Sequence, residues 1–293
     1  MSKSAYTIQN DILKITVKSK GAELCGLVDK RDQTEHIWQA EPEVWGKHAP
    51  ILFPVIGKVN NDSILIDGLT YPHPKHGFFR PSSPEMISHK ENEICFELTD
   101  SEETRGMYPF SFRFRTGYSL EGNALHHHFE VMNAGNKTMP FCLGGHPAFR
   151  ITFFKNESIT DYRLRFEEKE TVSRLLLNEE GFFNGETEPV LEDESAISIT
   201  ENLFDDDALV FEDLKSRRVS IESKNHAKKL TVAFGDFPML GIWAQPGAKF
   251  VCIEPWIGRA DDAGDQIAFD EKPGIMNLPS GEVFRASFSI IVE

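Results

Sequence analysis

The segment Phe284-Arg285-Ala286-Ser287-Phe288-Ser289-Ile290-Ile291-Val292 decides the fold class. Phe284, Ala286, Phe288, Ile290 and Val292 fall on one face of an extended chain, and Arg285, Ser287 and Ser289 fall on the other. That period of two is what a strand buried on one side requires. Outward from it, the same alternation marks residues 250–253, 230–234, 125–131, 110–118, 94–98, 64–66 and 12–17. Turn-forming runs such as Val59-Asn60-Asn61-Asp62 and Leu120-Glu121-Gly122-Asn123 separate these stretches. Helical patterning is confined to 41–47 and 100–107. The 23 Phe of this strand-rich chain predict a deep aromatic core between two large sheets, hence an all-β, mostly antiparallel sandwich with few short helices. No fixed-period repeat and no Pro/Ser/Gly linker divides residues 1–293, so one domain is expected. The acidic stretch 178–195 reads as a long surface loop, and the basic cluster 224–229 as a solvated hairpin turn.

Composition excludes several classes of partner. A formal charge of −15 disfavours nucleic acid and anionic membrane, both of which need a basic footprint. No apolar run is long enough to span a bilayer, and the N-terminal residues lead straight into an alternating segment without a signal-peptide core, so a cytoplasmic location is expected. The four cysteines, Cys25, Cys95, Cys142 and Cys252, lie in apolar strand-like runs without C-x-x-C spacing, which fits reduced, buried thiols. A small anionic substrate stays possible, because a local set of cations can oppose the sign of the whole surface.

The peptides that alternation leaves unexplained carry the chemistry. Gly144-Gly145-His146-Pro147-Ala148-Phe149 holds an imidazole between a permissive and a locked residue, which fixes the direction of the ring. In Cys252-Ile253-Glu254-Pro255-Trp256 a carboxylate ends a buried run beside an indole, where desolvation raises its pKa. One imidazole and one carboxylate are the minimal equipment for moving two protons on a small polar molecule. Trp243 and Gln245 lie one strand earlier and are expected in the same pocket, since sequential strands usually pair. Lys75-His76-Gly77-Phe78-Phe79-Arg80 offers donors and aromatic faces suited to a sugar, and of Asp205-Asp206-Asp207 only Asp207 abuts a strand. His126-His127-His128-Phe129-Glu130 puts His126, His128 and Glu130 on one strand face, yet no further motif completes a ligand set, so no metal is expected.

Taken in order, His76-Gly77-Phe78-Phe79-Arg80, Gly144 to Phe149, Asp207-Ala208-Leu209-Val210-Phe211 and Phe250 to Trp256 resemble the aldose 1-epimerase (mutarotase) superfamily, and within it the LacX-like branch. The resemblance covers essentially the whole chain and implies a galactose-mutarotase-like β-supersandwich that interconverts α and β anomers of a hexose without a cofactor. It implies His146 as general acid and Glu254 as general base, with His76, Arg80 and Asp207 on the sugar. That chemistry asks for an ionised Glu254 together with a protonated His146, a state their mutual attraction would favour. Two departures bear on specificity. Galactose mutarotases usually carry Asn before the acid His and Gly-Gly after the first His, where this chain has Gly145 and Gly77-Phe78. The Glu-Pro-Trp peptide and Arg80 lean toward hexose-6-phosphate 1-epimerases, which makes a sugar phosphate the alternative substrate. Two other classes compete: a glycosidase, with Asp207 as its second carboxylate, and a non-catalytic sugar-binding module. Oligomeric state is not written in the sequence.

Overall fold

In the computed structural model, which describes residues 4–293, the alternating segments become strands joined almost entirely in antiparallel fashion. Val283–Val292 lies inside a 15-stranded sheet, paired on one side with Lys229–Ala233 and on the other with Ala124–Asn133. Ala286, Phe288, Ile290 and Val292 are buried and Arg285 is exposed, as the alternation requires, while Phe284 at the strand's start is only half-buried. From this strand the sheet continues through Phe112–Glu121, Glu93–Thr99 and Glu85–His89 in one direction. In the other it reaches Arg218–Ser223, Tyr162–Leu177, Leu209–Phe211, Met239–Trp243, Phe250–Ile257, Leu143–Gly145 and Ile51–Leu52.

The strands do not divide into two sheets of similar size. The remainder form a four-stranded sheet, Ala5–Gln9, Leu13–Lys18, Leu24–Asp29 and Thr34–Glu35, and two small ribbons. Buried residues of both larger sheets belong to one apolar cluster, in which Ile15, Val17 and Leu27 join Phe96 and Tyr118. The Tyr118 hydroxyl crosses between them and donates to the carbonyl of Ala22 at 2.9 Å, so its buried oxygen is satisfied. Aromatic rings fill the centre. Phe53 stacks on Phe114 with centroids 4.5 Å apart, and Phe79 meets Phe114 edge-on at 4.6 Å. Fully buried rings of this kind each contribute about 1.5–3 kcal/mol relative to an exposed position.

Three sequence expectations are corrected. Segment 41–47 is not helical: Glu41 accepts from the N–H groups of Val44 and Trp45 in a turn, and the chain then leaves, with the carbonyl of Trp45 accepting from Trp38 Nε1 at 2.8 Å. Pro42 and Gly46 bracket too few residues to propagate a helix. The second stretch does contain one, Glu102–Arg105, started by a reciprocal Ser101–Thr104 cap. Stretch 178–195 is mostly strand. Phe183–Ser198 pairs with Tyr162–Leu177 in a long hairpin with repeated register shifts, and Tyr162–Leu177 is its one strand partner among the described residues. An edge strand exposed along most of its length carries acidic residues for the same reason a loop does, and edge charges also block pairing with another chain. Finally, 224–228 does form a hairpin turn, but Lys228 is not solvated. Its ammonium is largely covered and donates to Asp29 at 3.2 Å and to Asp32.

Candidate active site

His146 and Glu254 are brought together by strand register. Leu143–Gly145 and Ala148–Arg150 both pair antiparallel with Phe250–Ile257, with Gly144 opposite Trp256 and Ala148 opposite Cys252. Continuing that register across the gap sets His146 opposite Glu254. The ladder itself is broken there, because the N–H of His146 goes to Pro50 and Pro147 has none to give. The side chains are freed to face one cavity, with His146 Nδ1 3.3 Å from Glu254 Oε1 and side-chain exposures of 10% and 2%.

The glycines before His146 act by size. A Cβ on Gly145 would lie 2.7 Å from the ring of Phe288, and one on Gly144 would lie 2.6 Å from Trp256. Gly145 does not use a left-handed backbone, so the expectation that it orients His146 through permissive φ is replaced by a steric one. The same contact explains a departure noted above: with Phe288 filling the space, position 145 has no room for an Asn side chain. Gly77 is different. It has φ +76° and a Cβ there would fall 2.1 Å from the carbonyl oxygen of Phe53, so only glycine lets the His76 peptide approach the core. That approach docks His76, whose N–H donates to Gly57 and whose Nδ1 accepts from the N–H of Gly57 at 3.1 Å. Nδ1 being an acceptor, the neutral ring carries its proton on Nε2.

All seven sequence candidates, His76, Arg80, His146, Asp207, Trp243, Gln245 and Glu254, line one cavity of about 480 Å³, a size suited to a small polar ligand. Trp243 arrives as expected, opposite Cys252 in the strand pair. Asp207 sits at the end of an exposed turn with φ +71°, its carboxylate accepting from the N–H of Ala208. The buried Arg174 ties this turn to the long hairpin through Glu188 at 2.6 Å and Asp206 at 3.5 Å. The hairpin read as a loop therefore contributes a wall, with Leu177, Gly181 and Phe183 on the cavity.

Trp45 and Lys47 were missed. Trp45 stacks on His146 with centroids 5.1 Å apart and planes 23° apart, while Trp243 meets the same imidazole edge-on at 5.9 Å. The available signal was a Trp amid Pro42, Gly46 and charged residues, where no core position was expected. Lys47, Lys75 and Arg80 line the same cavity. Among the described residues none of them pairs with a carboxylate; the Arg80 guanidinium donates instead to the carbonyl of Lys75 at 2.8 Å.

Burial dominates the electrostatics. It pushes His146 down to about 3, helped by the nearby Lys75, Arg80 and Lys47, and holds His76 well below the ordinary imidazole range. It also raises Glu254 well above the usual carboxylate value, with Lys75 opposing and Asp207 reinforcing the shift. Desolvation thus outweighs mutual attraction, contrary to the expectation of an ion pair. Both shifts favour the uncharged form of the pair, with its one exchangeable proton on the carboxyl. His146 Nδ1 and Glu254 Oε2 are buried with no hydrogen-bond partner among the described residues. Such atoms are rare in a folded core and mark where a ligand's polar groups fit.

Comparison with known proteins agrees with this architecture. The sequence pattern of the aldose 1-epimerase family matches residues 4–290. Protein LacX of Lactococcus lactis subsp. lactis is 31% identical over 294 residues, covering 97% of this chain and 98% of its own. A galactose mutarotase related enzyme from Lactobacillus acidophilus superposes with a TM-score of 0.94 at 36% identity, over 99% of this chain and 97% of that one. A galactose mutarotase-like protein from Lactobacillus casei gives 0.93 at 30% identity, over 99% and 100%.

Proposed function

The chain belongs to the aldose 1-epimerase family, and on that premise we propose that it interconverts the α and β anomers of an aldose by acid–base opening and closing of the ring. The observation that carries the reading is the buried His146–Glu254 pair, cross-strand at 3.3 Å on a cavity walled by Trp45 and Trp243.

Mutarotation needs one proton removed from the anomeric hydroxyl and one delivered to the ring oxygen, and the reverse after rotation about C1–C2. A pair holding a single proton can do both. Shifting that proton from the Glu254 carboxyl to His146 creates base and acid together without changing the net charge of the site. Glu254 then accepts from the anomeric hydroxyl as His146 donates to the ring oxygen, and closure on the opposite face restores both. A bound sugar supplies the hydrogen-bond partners that Glu254 Oε2 and His146 Nδ1 lack among the described residues. The indole faces of Trp45 and Trp243 suit the C–H faces of a pyranose, and the exposed Asp207 and Gln245 suit its hydroxyls. A glycosidase reading has nothing comparable, since the paired groups are one carboxylate and one imidazole rather than two carboxylates flanking a bond.

A sugar phosphate is favoured as substrate over a broad range of free aldoses. In a chain of net charge −15, cations at the surface find carboxylates easily, yet Lys47, Lys75 and Arg80 on this one cavity have none among the described residues. Burial even disfavours the charge on Arg80, a cost that a bound anion offsets. Asp205 and Asp207 lie on the cavity too, which gives it a basic and an acidic portion and so a preferred ligand orientation. The test is anomer exchange, followed by NMR, on glucose, galactose and their 6-phosphates with wild type and Arg80→Ala. We expect kcat/KM to favour a phosphosugar by about 100-fold, worth roughly 2.7 kcal/mol, and the variant to erase most of that preference. Equal rates on free and phosphorylated sugars would return the broad aldose reading, and no exchange on any of them would leave a sugar-binding module.

A further inference from the structure

Cys252 lies two residues before Glu254 on the strand Phe250–Ile257, and therefore on the same face of it. Its sulfur is fully buried and takes part in no step of the reaction proposed above. His146 stands over the same patch from the facing strand. One donor atom from each of the three residues, a nitrogen, a sulfur and an oxygen, lies within 4.8 Å of the others. We propose that His146, Cys252 and Glu254 form a site for a thiophilic divalent cation, of the zinc or cadmium class, whose occupancy shuts the enzyme off.

The geometry needs little adjustment. Zinc bonds of about 2.0–2.3 Å to nitrogen, oxygen and sulfur place tetrahedral donors roughly 3.3–3.8 Å apart. His146 Nδ1 and Glu254 Oε1 already stand at 3.3 Å, so closing the site asks mainly that the sulfur move inward by about an ångström. Two of the donor groups are ready for it, since His146 Nδ1 and Glu254 Oε2 are buried without a partner among the described residues. His146 and Glu254 also line the cavity, so water can complete the shell from that side.

Charge and softness select the ion. A doubly charged ion held by a thiolate, a carboxylate and a neutral imidazole forms a neutral cluster, which suits a buried place. Magnesium and calcium do not exchange their oxygen shells for a sulfur and an imidazole; a borderline-soft ion does. Once bound, the ion occupies the Nδ1 lone pair of His146 and an oxygen of Glu254, the groups assigned to proton transfer, so binding and mutarotation exclude each other. This inhibitory role rests on the function proposed above. Occupancy of the site by the ion does not.

The two are separated by reading binding and activity independently. Chelated wild type and Cys252→Ala are titrated with cadmium while thiolate-to-metal absorption in the near ultraviolet is recorded, and with zinc while anomer exchange is followed. Cys252→Ser is the second variant should Cys252→Ala fold poorly. We expect an absorption band at one equivalent in wild type that is absent from the variant, which removes any signal from Cys25, Cys95 and Cys142. Zinc should inhibit wild type reversibly on addition of chelator. The Cys252 variant should keep its basal exchange rate and need at least about tenfold more zinc for the same inhibition, the loss of one ligand bond. Identical cadmium spectra in wild type and variant would overturn the site, even in a protein without epimerase activity. A band with unaltered exchange at saturating zinc would refute the shut-off.

Discussion

Two clusters of histidine stand in this chain, and the denser one is the poorer site. His126, His127 and His128 are consecutive on the strand Ala124–Asn133, yet every ring is already engaged. His127 is buried between Tyr118 and Phe129 and shares a hydrogen with the Thr116 hydroxyl at 2.9 Å. His126 bonds Ser289 and His128 bonds Ser119, each at 2.8 Å. Glu130, the third member of that face, lies within ion-pair distance of Arg113, Arg115 and Arg285. Around His146 the opposite holds. One imidazole and one carboxyl face one cavity, and His146 Nδ1 and Glu254 Oε2 lack partners among the described residues. What distinguishes a site from a structural cluster is polar capacity left unspent in a buried place, and proximity in sequence says nothing about that.

Substitutions should separate the two clusters sharply. His146→Asn and Glu254→Gln are each expected to lower kcat for anomer exchange by about 10²- to 10⁴-fold, the span of a positioned acid or base, with the fold retained by circular dichroism. His126→Gln and His128→Gln should leave exchange unaltered. A loss in either surface variant comparable with that of His146→Asn would erase the distinction.

The pH profile sharpens it further. The active form is the pair with one proton, so exchange fails when a second is added and when the last is lost. Burial places the acid-side loss toward the depressed value of His146, about 3, and the alkaline-side loss at the elevated value of Glu254. The two limbs belong to the coupled pair rather than to either residue alone. An alkaline limb near 6.5, where an unperturbed imidazolium loses its proton, would mean that the proton rests on His146 and that the pair is ionic.

Stability is where the His triplet should respond. His127→Leu keeps the packing but strands the Thr116 hydroxyl, a cost of about 1–3 kcal/mol in chemical denaturation with no change in kcat. His127 is held neutral by burial, its pKa well below the ordinary value. An unfolded chain takes up a proton there as pH falls below about 6.5 and the folded one does not, so wild type loses stability on that side. His36 and His73, each lowered to about 4, act in the same direction. The Leu variant should show a shallower acid-side decline; an unaltered slope would place His127 in contact with water. His126→Gln and His128→Gln, on the outer face, should stay within about 0.5 kcal/mol of wild type.

Most of the architecture was legible because strand alternation is local. The period of two in 284–292 and its counterparts needs only the residues themselves, and His146, Glu254, His76 and Arg80 announced themselves as polar groups in short rigid peptides that alternation did not explain. Segment 183–198 was not legible. An exposed edge strand and a loop share a composition, and only its pairing with Tyr162–Leu177 tells them apart. Trp45 was hidden for a related reason: its neighbours described a short helix, and its role depends on an imidazole about a hundred residues along the chain.

The sequence by itself determined the strand class, the faces of the strands and the residue types capable of proton transfer, since each follows from covalent order and the geometry of an extended chain. Tertiary structure alone decided which groups meet and in what charge state. The register that sets His146 against Glu254 runs between distant segments. The burial that favours the uncharged form of the pair comes from Trp45, Trp243 and the strands around them, which no residue encodes within itself. Sequence expectation favoured an ion pair because attraction between neighbours can be read from a list of residues. Desolvation prevailed because it depends on everything else that surrounds them.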